Sequence, residues 1–153
     1  MRKSMAVFIA LAVLAAGGAA WALDTNTLTV QASVLGTCKF STATSTLNFG
    51  ALDPSSPVLV NGSSSTQFWC TKGVTTGAVT ATNGTNWSGS SRRMAGPGGD
   101  LIPYSLSITP DGNPNAGPAS PRTLGIAGTV LAADYTGVSA GSYSDTVTLT
   151  INP

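Results

Sequence analysis

The chain has 153 residues with no histidine, and only 8% of them are charged; seven Lys and Arg face six acidic residues for a formal charge of +1. With no run of basic residues longer than a pair, the composition excludes a nucleic-acid or anionic-membrane footprint, which needs clustered Lys and Arg. The missing histidine removes the usual general base of a serine-type hydrolase.

Residues 1–22 have the three parts of a secretory signal: Arg2 and Lys3, an apolar run from Met5 to Ala16, and small residues ending Ala20-Trp21-Ala22. A membrane anchor is the competing reading, but the run is short of the ~20 residues a bilayer requires and Gly17-Gly18 interrupts it. Cleavage before Leu23 leaves 131 residues, enough for one domain with its own core. That part carries five basic residues against six aspartates and no glutamate, a formal charge of −1. Its abundant Ser, Thr, Gly and Asn suit a secreted β protein.

Helical periodicity is absent beyond residue 22. Short alternating runs predict strands instead, in order Leu28–Val34, Ser65–Thr71, Val74–Thr82, Tyr104–Thr109, Leu124–Leu131 and Tyr143–Ile151. Turn signals lie between them at Asp53-Pro54, Asn61-Gly62, Asn83-Gly84, Pro97-Gly98-Gly99, Asp111-Gly112 and Ala140-Gly141. Strands at this spacing predict an all-β sandwich. Two cysteines behind an export signal predict one disulfide, Cys38–Cys70, whose loop of about 32 residues is worth roughly 3–4 kcal/mol. Two thiols without histidine are too few ligands for a metal.

Strand phase yields a core. Tyr143, Val147, Leu149 and Ile151 point one way, with Asp145 in phase near the strand's start, while Thr146, Thr148 and Thr150 face solvent. Phe68 and Cys70 share a face, so Phe68 packs beside the disulfide and Trp69 faces outward or into a neighbour.

The remaining polar residues read as structural. Asp53, Asp100, Asp111, Asp134 and Asp145 stand mostly beside turn residues, the setting of carboxylates that bond to backbone amides rather than pair for glycoside hydrolysis. Gly96-Pro97-Gly98-Gly99 lacks the Lys of a phosphate loop. Asp111-Gly-Asn113-Pro-Asn115 opens like a calcium loop, but Ala116 replaces the required Gly and Arg122 stands where the bidentate acid belongs, which leaves a solvated turn. Asn61, Asn83 and Asn86 are sequons of consequence only in a eukaryotic secretory pathway. Arg92-Arg93 reads as a solvated pair, or as a subunit contact. The chain is expected to be no enzyme and to bind no cofactor or metal.

With these elements placed, the sequence resembles the spore coat protein U family of secreted archaic chaperone–usher pilins. The likeness is carried by T-x-T-L-x-V-x-A-x-V before Cys38, Leu47-Asn-Phe-Gly50 with Asp53, Phe68-Trp-Cys70-Thr-Lys-Gly73, Ser91-Arg-Arg-Met94, Tyr104-Ser-Leu106 and Ala140-Gly-Ser-Tyr-Ser-Asp-Thr-Val147-Thr-Leu-Thr-Ile151. The pattern departs at Ile151-Asn152-Pro153, where the family commonly has a terminal aromatic, and at Ser107-Ile-Thr-Pro110. The resemblance implies an incomplete immunoglobulin-like β-sandwich lacking its last strand, residues 37–153, preceded by a donor-strand extension, residues 23–36. Leu28, Val30, Ala32 and Val34 would be the donor side chains. Phe49, Phe68, Tyr104, Leu106, Tyr143, Val147, Leu149 and Ile151 would line the core and acceptor groove. The implied partners are a periplasmic pilus chaperone, an outer-membrane usher and other copies of the chain or related pilins; the implied product is an extracellular pilus for attachment and biofilm formation. A self-contained secreted spore-coat or matrix protein, its own sandwich closed by residues 25–34, is the alternative.

Overall fold

Alternation of Ser or Thr with apolar residues builds strands that are wet on one face and dry on the other, and in the computed structural model of the protein, which describes residues 23–75 and 78–153, strands are the main regular structure, joined by long irregular segments. The expected export signal, 1–22, lies outside the described residues. Among those described, no helix is long and apolar enough to cross a membrane. Residues 34–153 form one compact unit, and 23–33 belong to a separate one.

The strands are β1 (Cys38–Phe40), β2 (Val60–Cys70), β3 (Thr80–Ala81), β4 (Arg92–Ala95), β5 (Leu101–Pro110), β6 (Arg122–Val130) and β7 (Leu149–Thr150), with short 3-10 turns at Pro97–Gly99 and Ala132–Asp134. Five strands lie side by side in the order β1-β2-β6-β5-β4, and β3 pairs with β7 in a second sheet. Every pairing is antiparallel. The all-β expectation holds.

Period two sorts the large sheet. Thr66, Phe68 and Cys70 of β2, Arg122, Leu124, Ile126 and Val130 of β6, and Ile102 of β5 are buried on one face. Ser63, Ser65, Gln67, Thr123, Ser105, Ser107 and Thr109 are exposed on the other. Burying Phe68, Ile102, Leu124 and Val130 contributes on the order of 6–12 kcal/mol before ordering costs. Cys38 and Cys70 are directly opposite in the β1–β2 ladder and form the expected disulfide. Phe68 and Cys70 share one buried cluster, as strand phase required.

Several expectations change. Asn61-Gly62 is no turn: it lies inside β2, where Gly62 pairs with Gly128. A Cβ on Gly62 would stand 3.0 Å from the Asn48 carbonyl and the Phe49 ring, and one on Gly128 would stand 2.8 Å from Leu47. The two glycines thus make a notch that admits the crossing segment Leu47–Phe49. Residues 28–34 take no regular structure, because a strand is defined by its ladder and this run has none. The run 74–82 keeps only Thr80–Ala81 as strand, with 76–77 outside the described residues, and Tyr143–Ile151 keeps only Leu149–Thr150 plus a bridge from Ser144 to Ala95. Alternating burial nevertheless continues from Tyr143 to Ile151. Strands β1 and β4 went unanticipated, one being three residues long and the other opening on two arginines.

Candidate functional site

The interior has two apolar clusters. Around Phe68, Cys70 and Leu124 pack Phe40, Val74, Val79, Ile108, Leu149 and Ile151. Around Ile102, Val130 and Tyr135 pack Phe49, Leu52, Met94, Tyr104, Val138 and Tyr143. Aromatic contacts run through both, with Phe40 edge-on to Phe68 at 6.5 Å and Phe49 tilted on Tyr104 at 6.1 Å.

Of the interior residues selected from the sequence, Phe68 is fully buried, whereas Phe49, Tyr104, Leu106, Tyr143, Val147, Leu149 and Ile151 are only half-buried. Those side chains keep apolar area that their own sandwich leaves uncovered, and each such side chain gains about 0.8 kcal/mol per further methylene buried. The N-terminal run shows the complementary state: Leu28 and Val30 are each 83% exposed and Val34 is 85% exposed, with Ala32 exposed as well.

Hollows indent the domain among the described residues. One of about 770 Å³ is lined by residues including Val74, Val79, Asn115 and Arg122. Another, of about 530 Å³, is lined by residues including Phe49, Leu52, Met94, Ile102 and Tyr143.

Polar side chains brace this interior. Asp145 receives the Tyr104 hydroxyl at 2.6 Å, the Thr85 hydroxyl at 2.7 Å and the Thr85 amide at 2.9 Å. Burial works against its carboxylate, but the bonds from Tyr104, Thr85 and Thr146 outweigh that and hold it below its ordinary value. The Tyr104 hydroxyl is pushed well above its ordinary range by burial first and by Asp145 second. Arg92 is half-buried and bonded rather than merely solvated: its Nε and Nη2 donate to the Thr82 carbonyl at 3.2 and 2.9 Å, and its guanidinium lies 6.0 Å from the Trp87 ring centre. Arg93 reaches the Ser88 carbonyl at 3.5 Å.

The stretch that opens like a calcium loop is tied up internally. Asp111 accepts from the Thr123 amide at 2.8 Å, the Asn113 amide at 3.1 Å and Arg122 Nε at 3.0 Å. The Thr123 amide bond leads the causes that depress the Asp111 carboxyl; burial opposes it, and Arg122 and Asn113 add to it. Arg122, itself buried, lies 5.0 Å over the Phe68 ring and donates to Asn115 Oδ1 at 3.3 Å. The residue that breaks the metal pattern therefore serves as a core cation. Asp53 bonds to the Ser55 amide two residues on, as a turn former does, whereas Asp100 departs from that expectation and accepts from the amide of Ser139, 39 residues away. Among the described residues no group of three or more His, Cys, Asp or Glu side chains stands ready to hold a metal.

The sequence marked Asp145 only as a turn aspartate and Arg92 only as half of a solvated or subunit-contact pair, and neither as a brace of the interior. Their signals were there: an acid in phase with the core residues Tyr143 and Val147, and an arginine directly before Arg93 in what proved to be a short strand.

The model of the Spore Coat Protein U domain matches residues 24–150. Among solved structures, a chain of the crystal structure of the CsuC–CsuE chaperone–tip adhesion subunit pre-assembly complex, from archaic chaperone–usher Csu pili of Acinetobacter baumannii, is similar at a TM-score of 0.50 and 20% identity. The likeness covers 78% of this chain and 40% of that one, so this chain spans less than half of its length, and at that identity the likeness concerns the fold. No curated protein matches the chain.

Proposed function

The chain belongs to the spore coat protein U domain family, and from that premise we propose that it is a structural pilin subunit that polymerises by donor-strand exchange. Residues 23–36 of one subunit lie along the interior of the next and complete its sandwich, which is strand addition to an open sheet edge. The observation that carries the reading is a complementarity: Leu28, Val30 and Val34 are more than four-fifths exposed, and the apolar interior from Phe49 to Ile151 is half-covered.

The magnitudes support a tight linkage. Burying Leu28, Val30, Val34 and the smaller Ala32 contributes on the order of 5–8 kcal/mol before ordering costs, and backbone pairing adds to it. A subunit without its complement exposes both apolar area and an edge, a hazard for aggregation that calls for a chaperone during transit. The solved complex pairs a chaperone with a tip adhesion subunit before assembly, and the shared fold supports a periplasmic chaperone for this chain too. An outer-membrane usher and further copies or related pilins complete the partners. The role is mechanical rather than enzymatic, in an extracellular fibre for surface attachment and biofilm formation, reached through the periplasm after removal of residues 1–22. A self-contained coat protein would use residues 25–34 as a strand of its own sheet, and this run has no ladder.

Deleting Leu23 to Val34 tests the reading. The truncated subunit is expected to bind chaperone and yield no SDS-resistant multimers; fibres from the truncated subunit would refute it.

A further inference from the structure

The final segment of the chain, residues 143–151, is held in an unusual way. Its ladder bonds are few: Leu149–Thr150 pair with β3, and Ser144 exchanges two backbone bonds with Ala95 at 2.8 and 3.0 Å. Between these points a backbone bond is joined by bonds that run through side chains. The Thr148 amide donates to the Thr82 hydroxyl at 2.9 Å, while the Thr82 amide donates to the Thr148 carbonyl, also at 2.9 Å. The Thr82 carbonyl is gripped from the other side by Arg92 of β4. Asp145 is bonded to Tyr104 of β5 and to Thr85.

We propose that Asp145, Tyr104 and Arg92 form a polar clasp that keeps residues 143–151 extended with an open edge, and that the clasp makes the subunit competent to accept a strand. The competence part rests on the strand-addition reading above.

Apolar burial has no direction. Tyr143, Val147, Leu149 and Ile151 are half-buried, so the hydrophobic effect alone would press their segment further onto the half-buried Leu106 and Ile108 and close the space a partner needs. Hydrogen bonds do have direction, and bonds to a charged group are the stronger kind. The clasp joins β4, β5, the 82–85 connection and the last segment through one carboxylate and one guanidinium. Gly84 supplies a separate sign that Asp145 is seated by design: a Cβ there would collide with the carboxylate, and its φ of +87° suits glycine. Without the clasp the receptive fraction of subunits falls, and apparent affinity for an added strand falls in proportion.

The test uses the disulfide-bonded mature chain, Leu23 to Pro153, with a synthetic peptide of residues 25–36 as probe. Tyr104→Phe removes the 2.6 Å bond and little else; Asp145→Asn keeps the shape and removes the charge. Each is expected to weaken peptide binding, normalised to the folded fraction by near-UV circular dichroism, at least about tenfold. Each is also expected to speed hydrogen exchange at the Thr146 and Thr148 amides, and the double variant to be no weaker than the weaker single one. A clasp that served stability alone would lower the melting temperature and leave the affinity of folded molecules at the wild-type value, and that result would overturn the proposal. If the wild-type subunit took up no peptide, the strand-addition reading and the competence built on it would both fall, while the exchange rates would still decide whether the clasp holds the segment.

Discussion

Val30→Asp is the sharpest perturbation of the assembly step. Val30 is 83% exposed in the single chain, so an aspartate there keeps its charge in water and costs the subunit little. The monomer's melting temperature should stay within about 1–2 °C of wild type, since exposed substitutions change stability by roughly 0.5 kcal/mol or less. On assembly the same position loses about 1.5–2 kcal/mol of valine burial. It also meets a desolvation cost of several kcal/mol per buried, unpaired carboxylate. The sum is at least about 4 kcal/mol, or roughly a thousandfold in the linkage constant. Thr29→Asp places the same charge one residue earlier, on the opposite face of an extended segment, and should cost less than about tenfold. SDS-resistant multimer ladders, with monomer melting as the control, separate the two outcomes. Equal losses for Val30→Asp and Thr29→Asp would refute the phase assignment, and an unchanged ladder for Val30→Asp would refute burial of that side chain.

Replacing either cysteine with serine opens a 32-residue loop and should destabilise the subunit by about 3–4 kcal/mol, read as a lower melting temperature and a lower periplasmic yield. Gly128→Ala drives a methyl to within 2.8 Å of Leu47 and of the Ser105 carbonyl, and should cost about 1–3 kcal/mol by denaturant titration, whereas Gly89→Ala meets no crowding and strains only its backbone. The depressed Asp111 carboxyl contributes stability that is fully present above its ordinary value of 3.8 and is lost as pH falls through its lower folded value. Asp111→Asn should therefore be less stable than wild type at neutral pH, with the gap between them narrowing below about pH 4 in acid melts.

Side-chain phase was legible in the sequence wherever alternation was clean. The inward set Phe68 and Cys70, the half-buried set Tyr143, Val147, Leu149 and Ile151, and the Cys38–Cys70 bridge all follow from period two and from cysteine count. Strand extents were less legible. Residues 60–64, V-N-G-S-S, carry a turn signal, and only a paired glycine at 128 reveals why Gly62 sits in mid-strand. Arg92 and Arg93 looked like solvent residues because no local pattern announces a carbonyl ten residues upstream waiting for a guanidinium.

What the sequence determined by itself is therefore which side chains share a face, an all-β chain, a disulfide and the turn chemistry of Asp53 and Asp111. Each depends on covalent geometry within a few residues, or on a count. The tertiary structure alone decided the order β1-β2-β6-β5-β4, the glycine notch under Leu47–Phe49, Arg122 as a core cation bonded to Asp111, and the clasp at Asp145. Those features are set by the register between segments up to 81 residues apart, as for Leu47 over Gly128, and a pattern with period two is silent about which distant strand it will meet.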